Sequence, residues 1–255
     1  QFGELTYGNM VTITDEVKQS DLANTYSLTD GLLETSARRV TQYVYNGDYG
    51  SNKVKFGAYY GGSSKRNIKN VDLKNNRKNT WGTGLIFNHE IDSIQNVTVA
   101  AGFTRQISEN ANKTAYYSNA YALGLAYNFV HTTYGLDLAH KDTKNKGGAG
   151  NKVKNNEVTA VIRQGLNEDW NVYAMYSYKT EKTLPAGSAY SKSTDRQFLV
   201  GTEYYVFKQG SVKVKPFIEW QATRTKYENT FDKDSGKQLD RSRDFKTVIG
   251  LRAYW

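Results

Sequence analysis

The stretch Phe245-Lys-Thr-Val-Ile-Gly-Leu-Arg-Ala-Tyr-Trp255 decides the fold class of this chain. Counted back from Trp255, every second residue is apolar or small apart from Thr247, whereas the intervening positions include Lys246 and Arg252. A period of two places the two sets on opposite faces of a β-strand. An apolar face on a strand that ends in an aromatic residue is typical of a membrane β-barrel, whose outer face contacts lipid. The stretch therefore predicts an all-β, transmembrane, antiparallel up-and-down barrel.

Length and composition agree with one barrel. A chain of 255 residues with no recognisable linker is predicted to be a single domain over residues 1–255. Apolar runs such as Val97 to Phe103 are too short for a spanning helix, which needs about 20 apolar residues. Twenty tyrosines, two prolines and no cysteine fit aromatic girdles, an unbroken sheet and an oxidising compartment. The formal charge of +9 is spread along the chain rather than gathered beside stacking aromatics, which argues against a nucleic-acid partner.

Period-two alternation bounded by turn residues predicts twelve strands. They cover Phe2 to Gly8, Arg38 to Tyr45, Lys53 to Gly61, Thr80 to Glu90, Val97 to Arg105, Ser118 to Phe129, Tyr134 to Lys141, Glu157 to Gly165, Trp170 to Lys179, Arg196 to Phe207, Val212 to Arg224 and Asp244 to Trp255. Short connections alternate strictly with long polar ones, at residues 9–37, 62–79, 106–117, 142–156, 180–195 and 225–243. Short turns of such barrels face the periplasm, so both chain ends are expected on the periplasmic side.

The phase of each strand follows from its alternation. Val54, Phe56, Ala58 and Tyr60 are expected to face lipid, and the residues between them the lumen. Pro216 falls on a lipid-facing position and cannot donate to the sheet, so a bulge is expected there.

Cations outnumber anions at the predicted lumen positions. The cations are Lys53, Lys55, Lys141, Arg163, Lys179, Lys213, Lys215, Lys246 and Arg252, and the anions are Glu4, Glu90, Asp137, Glu157, Glu203 and Glu219. Burying so many charges in a packed core would be costly, so the interior is expected to hold water. A net positive lumen would mildly favour anions. The alternative is that the charges pair across strands and leave no selectivity.

Two long connections carry unusual charge. Residues 9–37 include Asp15, Glu16 and Asp21 and lead directly to Arg38 and Arg39, so an acidic loop against a basic wall would create a transverse field across a constriction. An ordinary solvated loop is the alternative. Residues 62–79 carry six cations, which would suit the phosphates of lipopolysaccharide or simply a solvated surface.

Catalytic and metal-binding patterns are weak. His89 and His140 fall on lipid-facing positions and His131 in a turn, and none has the spacing of the outer-membrane phospholipase family. We expect no enzyme activity, no metal and no cofactor.

Several segments resemble the general diffusion porins of Gram-negative outer membranes. Phe2-Gly-Glu-Leu-Thr-Tyr-Gly8 resembles the strand that leads into their constriction loop, and Leu28-Thr-Asp-Gly-Leu-Leu-Glu-Thr-Ser-Ala-Arg-Arg39 resembles the return of that loop. Val200-Gly-Thr-Glu-Tyr-Tyr-Val-Phe207, the hairpin to Trp220 and Val248 to Trp255 resemble the last three strands in order. The resemblance covers nearly the whole chain.

This resemblance implies a porin that conducts ions and small hydrophilic solutes passively. It also implies a homotrimer in contact with membrane lipid and lipopolysaccharide, and a terminal signal for the barrel-assembly machinery that includes Gly250, Ala253 and Trp255. The family has sixteen strands and this chain matches the last twelve. Either N-terminal strands are missing, or the chain is a twelve-stranded monomeric channel for acidic oligosaccharides. A further alternative is an outer-membrane enzyme or adhesin that uses its long loops.

Overall fold

The computed structural model describes residues 3–64, 76–109, 115–145, 152–185, 190–230 and 237–255. Within these ranges the chain forms thirteen β-strands and one 3-10 helix, Ile13–Val17. The strands are β1 (Glu4–Val11), β2 (Ser36–Tyr49), β3 (Asn52–Gly61), β4 (Asn76–Asp92), β5 (Gln95–Glu109), β6 (Ala115–Phe129), β7 (Thr132–Asn145), β8 (Lys152–Gly165), β9 (Trp170–Leu184), β10 (Tyr190–Tyr204), β11 (Phe207–Gln209), β12 (Val212–Thr230) and β13 (Lys237–Tyr254). No helix in the described ranges is long and apolar enough to cross a membrane.

All strands form one antiparallel up-and-down sheet. Each long strand pairs with its neighbours in the chain, β12 lies between β10 and β13, and the short β11 pairs with the same edge of β12 as β10 does. The all-β, up-and-down prediction is confirmed. Over the part of the chain that the structure describes, β1 pairs only with β2 and β13 only with β12, so the sheet has two free edges.

The alternation of inward and outward residues follows the predicted phase. On β3, Phe56 and Tyr60 are 42% and 58% exposed, whereas Tyr59 between them is 4% exposed. On the outward face, aromatic residues cluster across neighbouring strands. Towards the long-loop ends lie Trp81–Phe103–Tyr121 and Phe198–Trp220–Phe245, and towards the short turns lies Tyr127–Phe129–Tyr134. Aromatic groups at both limits of an apolar belt are typical of the two membrane interfaces.

The strands extend further towards the long loops than the sequence predicted. Residues 106–109, 142–145, 180–184 and 225–230 were expected in loops but continue β5, β7, β9 and β12. The physical reason is that backbone pairing continues where the side chains are polar on both faces, so no apolar alternation marks those residues. The predicted strand Arg196 to Phe207 is also interrupted, because β10 ends at Tyr204 and β11 begins at Phe207.

That interruption lies opposite Pro216. Glu203 pairs with Phe217, and Phe207 pairs with Val214, so the β10–β11 side has one more residue than β12 across this gap. An irregularity was expected at Pro216, and it is present on the facing strand rather than on β12 itself. β12 still pairs continuously with β13, where Pro216 is opposite Leu251.

The buried apolar residues lie on the inward face of the sheet, against the connection between β1 and β2. One cluster joins Leu28 of this connection to Tyr173, Met175 and Leu199 of the wall. Two others contain Ile13 with Tyr59, and Val17 with Leu33 and Ala100. The core of the molecule is therefore the packing of one internal loop against the sheet.

Candidate functional site: the internal loop and its wall

Residues 12–35, here called the internal loop, are closed at their base by backbone and side-chain hydrogen bonds. The amide of Thr12 donates to the carbonyl of Thr35 at 2.8 Å. The amide of Ile13 donates to Oε1 of Gln42 at 2.7 Å, and the hydroxyl of Tyr59 donates to the carbonyl of Glu34 at 3.0 Å. Both ends of the loop are thus fastened to the inward faces of β2 and β3.

A row of glycines makes room for the 3-10 helix of the loop. Gly57, Gly84 and Gly102 are direct register partners on β3, β4 and β5, and all three lie on the inward face. A Cβ at Gly57 would lie 2.9 Å from Ile13, and one at Gly102 would lie 2.9 Å from Val17. The close approach of the helix to the wall requires these positions to lack side chains.

Two wall carboxylates hold the loop by its backbone. Asp137 on β7 accepts hydrogen bonds from the amides of Gln19 (2.9 Å) and Ser20 (2.8 Å) and from the Ser20 hydroxyl (2.6 Å). Glu157 on β8 accepts hydrogen bonds from the two consecutive amides of residues 30–31 at 2.8 and 3.2 Å. Both carboxylates are almost fully buried. Charge-assisted bonds of this kind are stronger than neutral ones, so they fix the path of the loop.

A third carboxylate, Glu219 on β12, holds the loop at its far side. It accepts hydrogen bonds from the amides of Asn24, Thr25 and Tyr26, at 2.5, 3.0 and 2.9 Å, and from the hydroxyl of Tyr173 at 2.7 Å. Its side chain is fully buried. Three consecutive amides on one carboxylate form an anion-binding turn, here with the anion supplied by the wall.

Beside it, Glu203 forms ion pairs with two cations. Its carboxylate pairs with Arg163 and with Lys215 (2.5 Å), and it also accepts a hydrogen bond from the side-chain amide of Asn24 (2.8 Å). Arg252 on β13 donates to the carbonyl of Asn24 at 2.7 Å. The loop therefore contacts the inward face from β2 to β13.

Acidic residues of the loop pair with lysines of the wall. Glu16 pairs with Lys55 at 2.5 Å, and two further pairs join Asp30 to Lys179 (2.5 Å) and Glu34 to Lys141 (3.2 Å). The arrangement is an acidic loop lying along strands that carry lysines. Most of the predicted lumen cations are therefore compensated locally.

The remaining predicted constriction residues lie within the loop, at the long-loop end of β2 and near the short turns. Asp15 and Asp21 pair with Lys18 of the loop itself, at 3.4 and 3.7 Å. Arg38 and Arg39 lie at the long-loop end of β2. The ion pairs of Asp15, Glu16 and Asp21 are with Lys18 and Lys55 rather than with these two arginines.

Lys53 and Lys213 lie near the short turns, where Lys53 pairs with Glu90 at 2.6 Å and Lys213 is exposed. The structure thus brings Asp15, Glu16, Asp21 and Lys55 together at one side of the loop and Arg163, Lys215 and Arg252 at the other. Their role in a constriction remains a prediction.

The residues assigned to the assembly signal lie on β13 or directly after it. The ring of Phe217 covers the inward side of Gly250, whereas Ala253 and Trp255 are exposed, Trp255 to 92%. His89 and His140 face outward and contact Asn52 and Asn156, and His131 lies in a turn. In the part of the chain that the structure describes, no three histidine, aspartate or glutamate side chains form a group that could hold a metal ion.

Arg77 was expected in a basic surface loop, but it is a structural residue of β4. It is 5% exposed, and its guanidinium donates to the carbonyls of Arg38 and Gly62. Lys78 pairs with Glu109 at 2.5 Å. The other cations of that predicted cluster, Lys65, Arg66, Lys69 and Lys74, lie outside the described residues.

The inward-facing glycines were also missed, although their positions carry a signal. Glycine recurs at the inward phase of five successive strands, at Gly57, Gly84, Gly102, Gly124 and Gly135. A small residue repeated at one phase of neighbouring strands indicates close approach of another segment of backbone. The recurrence could have located the path of the loop before the structure was known.

Comparison with known proteins agrees with this architecture. Residues 1–226 match the family model of the Gram-negative porins. Among solved structures, outer-membrane-expressed OmpT of Vibrio cholerae is similar with a TM-score of 0.67 at 16% identity, covering 100% of this chain and 78% of that one. The anion-selective porin from Comamonas acidovorans is similar with a TM-score of 0.56 at 14% identity, covering 99% and 73%. No curated protein sequence matches. Because the family model matches most of the length of this chain, the chain belongs to the Gram-negative porin family.

Proposed function

We propose that the protein forms a water-filled channel in the outer membrane through which ions and small hydrophilic solutes diffuse passively. The observation that carries this proposal is the internal loop, which runs along the inward face and is held there by Asp137, Glu157 and Glu219. A loop fixed along the inward face would narrow a lumen. The constriction predicted over residues 9–37 is thus proposed for residues 12–35.

Weak selectivity follows from the charge distribution. Because Lys55, Lys141 and Lys179 are paired with loop acids, they contribute less field than isolated cations would. Lys213 and Arg252 have no carboxylate partner among the described residues, but the inward carboxylates Asp137, Glu157 and Glu219 are bound by backbone amides and not by cations. The unpaired charges of the two signs therefore largely offset each other, and we propose weak ion selectivity rather than a strong preference for anions.

A channel specialised for acidic oligosaccharides is the second candidate. Arg163, Lys215 and Arg252 lie together beside Asn24, which is the arrangement such a ligand would need. Two of the three already share an ion pair with the single carboxylate of Glu203, so the observation favours the general channel. An enzyme or adhesin is the third candidate, and no catalytic arrangement of the described residues supports it.

The free edges of β1 and β13 bear on closure of the barrel. Unpaired backbone groups cannot be left in lipid, so a stable membrane protein requires both edges to be paired. We propose that additional strands preceding β1 close the sheet, as the sixteen-stranded family resemblance implies. The chain covers 77% of a solved OmpT structure, which is consistent with this proposal.

Assembly and orientation are proposals of the same kind. A solved OmpT of Vibrio cholerae is described as a trimer form, and it supports a homotrimer here. The strict alternation of short and long connections supports periplasmic short turns and chain ends. Lipopolysaccharide at the rim and the barrel-assembly machinery during biogenesis are the partners expected for such a barrel.

A planar-bilayer recording tests the proposed function. The intact protein is reconstituted, its single-channel conductance is recorded, and its reversal potential is measured across a salt gradient. Steps that close in threes with weak ion selectivity are expected. Single-unit steps with saturable block by an acidic oligosaccharide would favour the second candidate, and no conductance from correctly folded protein would refute the channel.

A further inference from the structure

Three arginines lie side by side on the outward face of the sheet. Arg196 on β10 is the register partner of Arg224 on β12, and Arg224 is the register partner of Arg243 on β13. All three side chains are exposed. Like charges directly opposite one another destabilise a sheet, so this row is favourable only with negative charge supplied from outside it.

The next outward row, further towards the long loops, adds two more cations. It consists of Thr194, Lys226 and Arg241, again as register partners. These three residues line a cleft of about 220 Å³ together with Arg196 and Arg224.

Little of this charge is neutralised within the protein. Lys226 pairs with Glu228, whereas Arg196, Arg224, Arg241 and Arg243 have no ion pair with any residue that the structure describes. The guanidinium of Arg196 lies 6.0 Å from the centre of the Tyr178 ring.

The arginine row borders the outward aromatic cluster Phe198–Trp220–Phe245. Each arginine lies on the same face of its strand as a residue of the apolar row, two positions away. The pairs are Arg196 with Phe198, Arg224 with Ala222, and Arg243 with Phe245. Two residues of a strand span about 7 Å. If the aromatic cluster lies at the membrane interface, the guanidinium groups lie at the depth of the lipid headgroups.

The other aromatic cluster at the long-loop side lacks this feature. Beside Trp81–Phe103–Tyr121, the corresponding outward positions are 79, 105 and 119, and they hold a single cation, Arg105. Arg105 stacks on Tyr117, with 5.3 Å between guanidinium and ring centre. A row of arginines directly beside the aromatic cluster is therefore present on β10, β12 and β13 and absent beside the cluster on β4, β5 and β6.

We propose that Arg196, Arg224, Arg243, Lys226 and Arg241 form a binding site for the phosphate groups of an outer-leaflet glycolipid, whose acyl chains lie against Phe198, Trp220 and Phe245. Arginine binds phosphate in a bidentate manner, and two adjacent rows could engage two phosphates. The lipid is favoured over free phosphate because the cations continue the lipid-facing apolar surface without a break. This proposal rests on the membrane location proposed above, but it does not require that the protein conducts ions.

The test compares lipid binding by the parent protein and two variants, each a full chain folded in dodecyl maltoside micelles. Arg196→Gln/Arg224→Gln/Arg243→Gln removes the row, and Lys53→Gln/Lys208→Gln/Lys213→Gln removes the same charge near the short turns. The probe is diphosphorylated lipid A, titrated and counted by native mass spectrometry, with dephosphorylated lipid A and inorganic phosphate as separate arms. Circular dichroism checks that each form is folded.

We expect the arginine variant to bind lipid A on the order of 100-fold more weakly than the parent protein and the lysine variant to bind like the parent. Dephosphorylated lipid A and inorganic phosphate are expected to bind weakly to all forms. If the arginine variant fails to fold, Arg196→Lys/Arg224→Lys/Arg243→Lys keeps the charge and is expected to show an intermediate loss. Equal affinity of parent and variants, indifference to the phosphates, or equally tight binding of inorganic phosphate would overturn the proposal. Because the readout is lipid binding, its failure is distinguishable from a failure to conduct.

Discussion

The carboxylate of Glu219 accepts a hydrogen bond of 2.5 Å from the backbone amide of Asn24, which lies 195 positions earlier in the chain. The two following amides bind the same carboxylate. One fully buried side chain of the wall therefore orders the turn at which the internal loop comes closest to β12. Four predictions follow from this and the neighbouring contacts.

Replacing Glu219 by Gln is expected to loosen the loop. The glutamine amide keeps one acceptor but presents donors to backbone amides that also donate, so at least one buried amide loses its partner. The free energy of unfolding should fall by about 2 kcal/mol, as for a buried hydrogen bond to a charged group. Urea denaturation in lipid vesicles measures this loss, and open-channel current noise should increase. Glu4→Gln makes the same chemical change at an exposed position of β1, and a loss as large there would contradict the assignment.

Replacing Gly124 by Ala is expected to displace the loop from the wall. The new methyl group would collide with the carbonyl oxygen of Val17 and lie 2.8 Å from Oδ1 of Asp137. Overpacking of this kind costs about 1 to 3 kcal/mol. Single-channel conductance should change together with stability. Gly62→Ala is the matched control because no residue that the structure describes lies within 4 Å of its Cβ position, and an unchanged conductance in Gly124→Ala would count against the close packing.

Replacing Lys55 by Gln is expected to change ion selectivity with little effect on stability. The pair with Glu16 is partly exposed, so its loss should cost no more than about 0.5 kcal/mol. The freed carboxylate of Glu16 should shift the reversal potential towards cations. Glu16→Gln should shift it in the opposite direction, towards anions. Identical reversal potentials for both variants and the parent protein would place this pair outside the conducting path.

Replacing Arg77 by Lys is expected to destabilise the β2–β4 side of the barrel. The guanidinium of Arg77 donates to the carbonyls of Arg38 and Gly62 from two different nitrogens, and a lysine ammonium cannot reproduce this geometry. A buried carbonyl then loses its donor, so the free energy of unfolding should fall by about 1 to 3 kcal/mol. Urea denaturation would measure it. Lys78→Gln, next to it but half exposed, should change the free energy of unfolding by less than about 1 kcal/mol. An equal effect in the two variants would show that Arg77 is not an anchor.

The strand pattern could be predicted closely, and the strand ends could not. The alternation of apolar and polar side chains can be recognised wherever one face of a strand contacts lipid, because each outward position must then be apolar. Residues 53–60 of β3 are an example. Beyond the membrane both faces are polar, so nothing in residues 225–230 or 237–243 distinguishes a strand from a loop. Those residues are ordered by the pairing between β12 and β13.

The charges show the same division. Asp137, Glu157 and Glu219 could be placed on the inward face from the phase of their strands, and the pairing of Glu16 or Glu34 with wall lysines follows the general expectation of an acidic loop on basic strands. Their individual partners could not be predicted, because contacts such as Lys141 with Glu34 join residues 107 positions apart.

The fold class, the order of the strands and the face of each strand that contacts lipid can be read from the order of the residues, because a strand that crosses a bilayer must alternate with a period of two. The path of the internal loop and the contacts that hold it can be read only from the folded molecule. Backbone amides are chemically alike at every position, so the order of the side chains does not show that Asp137 binds Ser20 or that Glu219 binds Asn24. Those contacts arise once strand register brings the carboxylates and the glycine row Gly57, Gly84 and Gly102 to one inner surface.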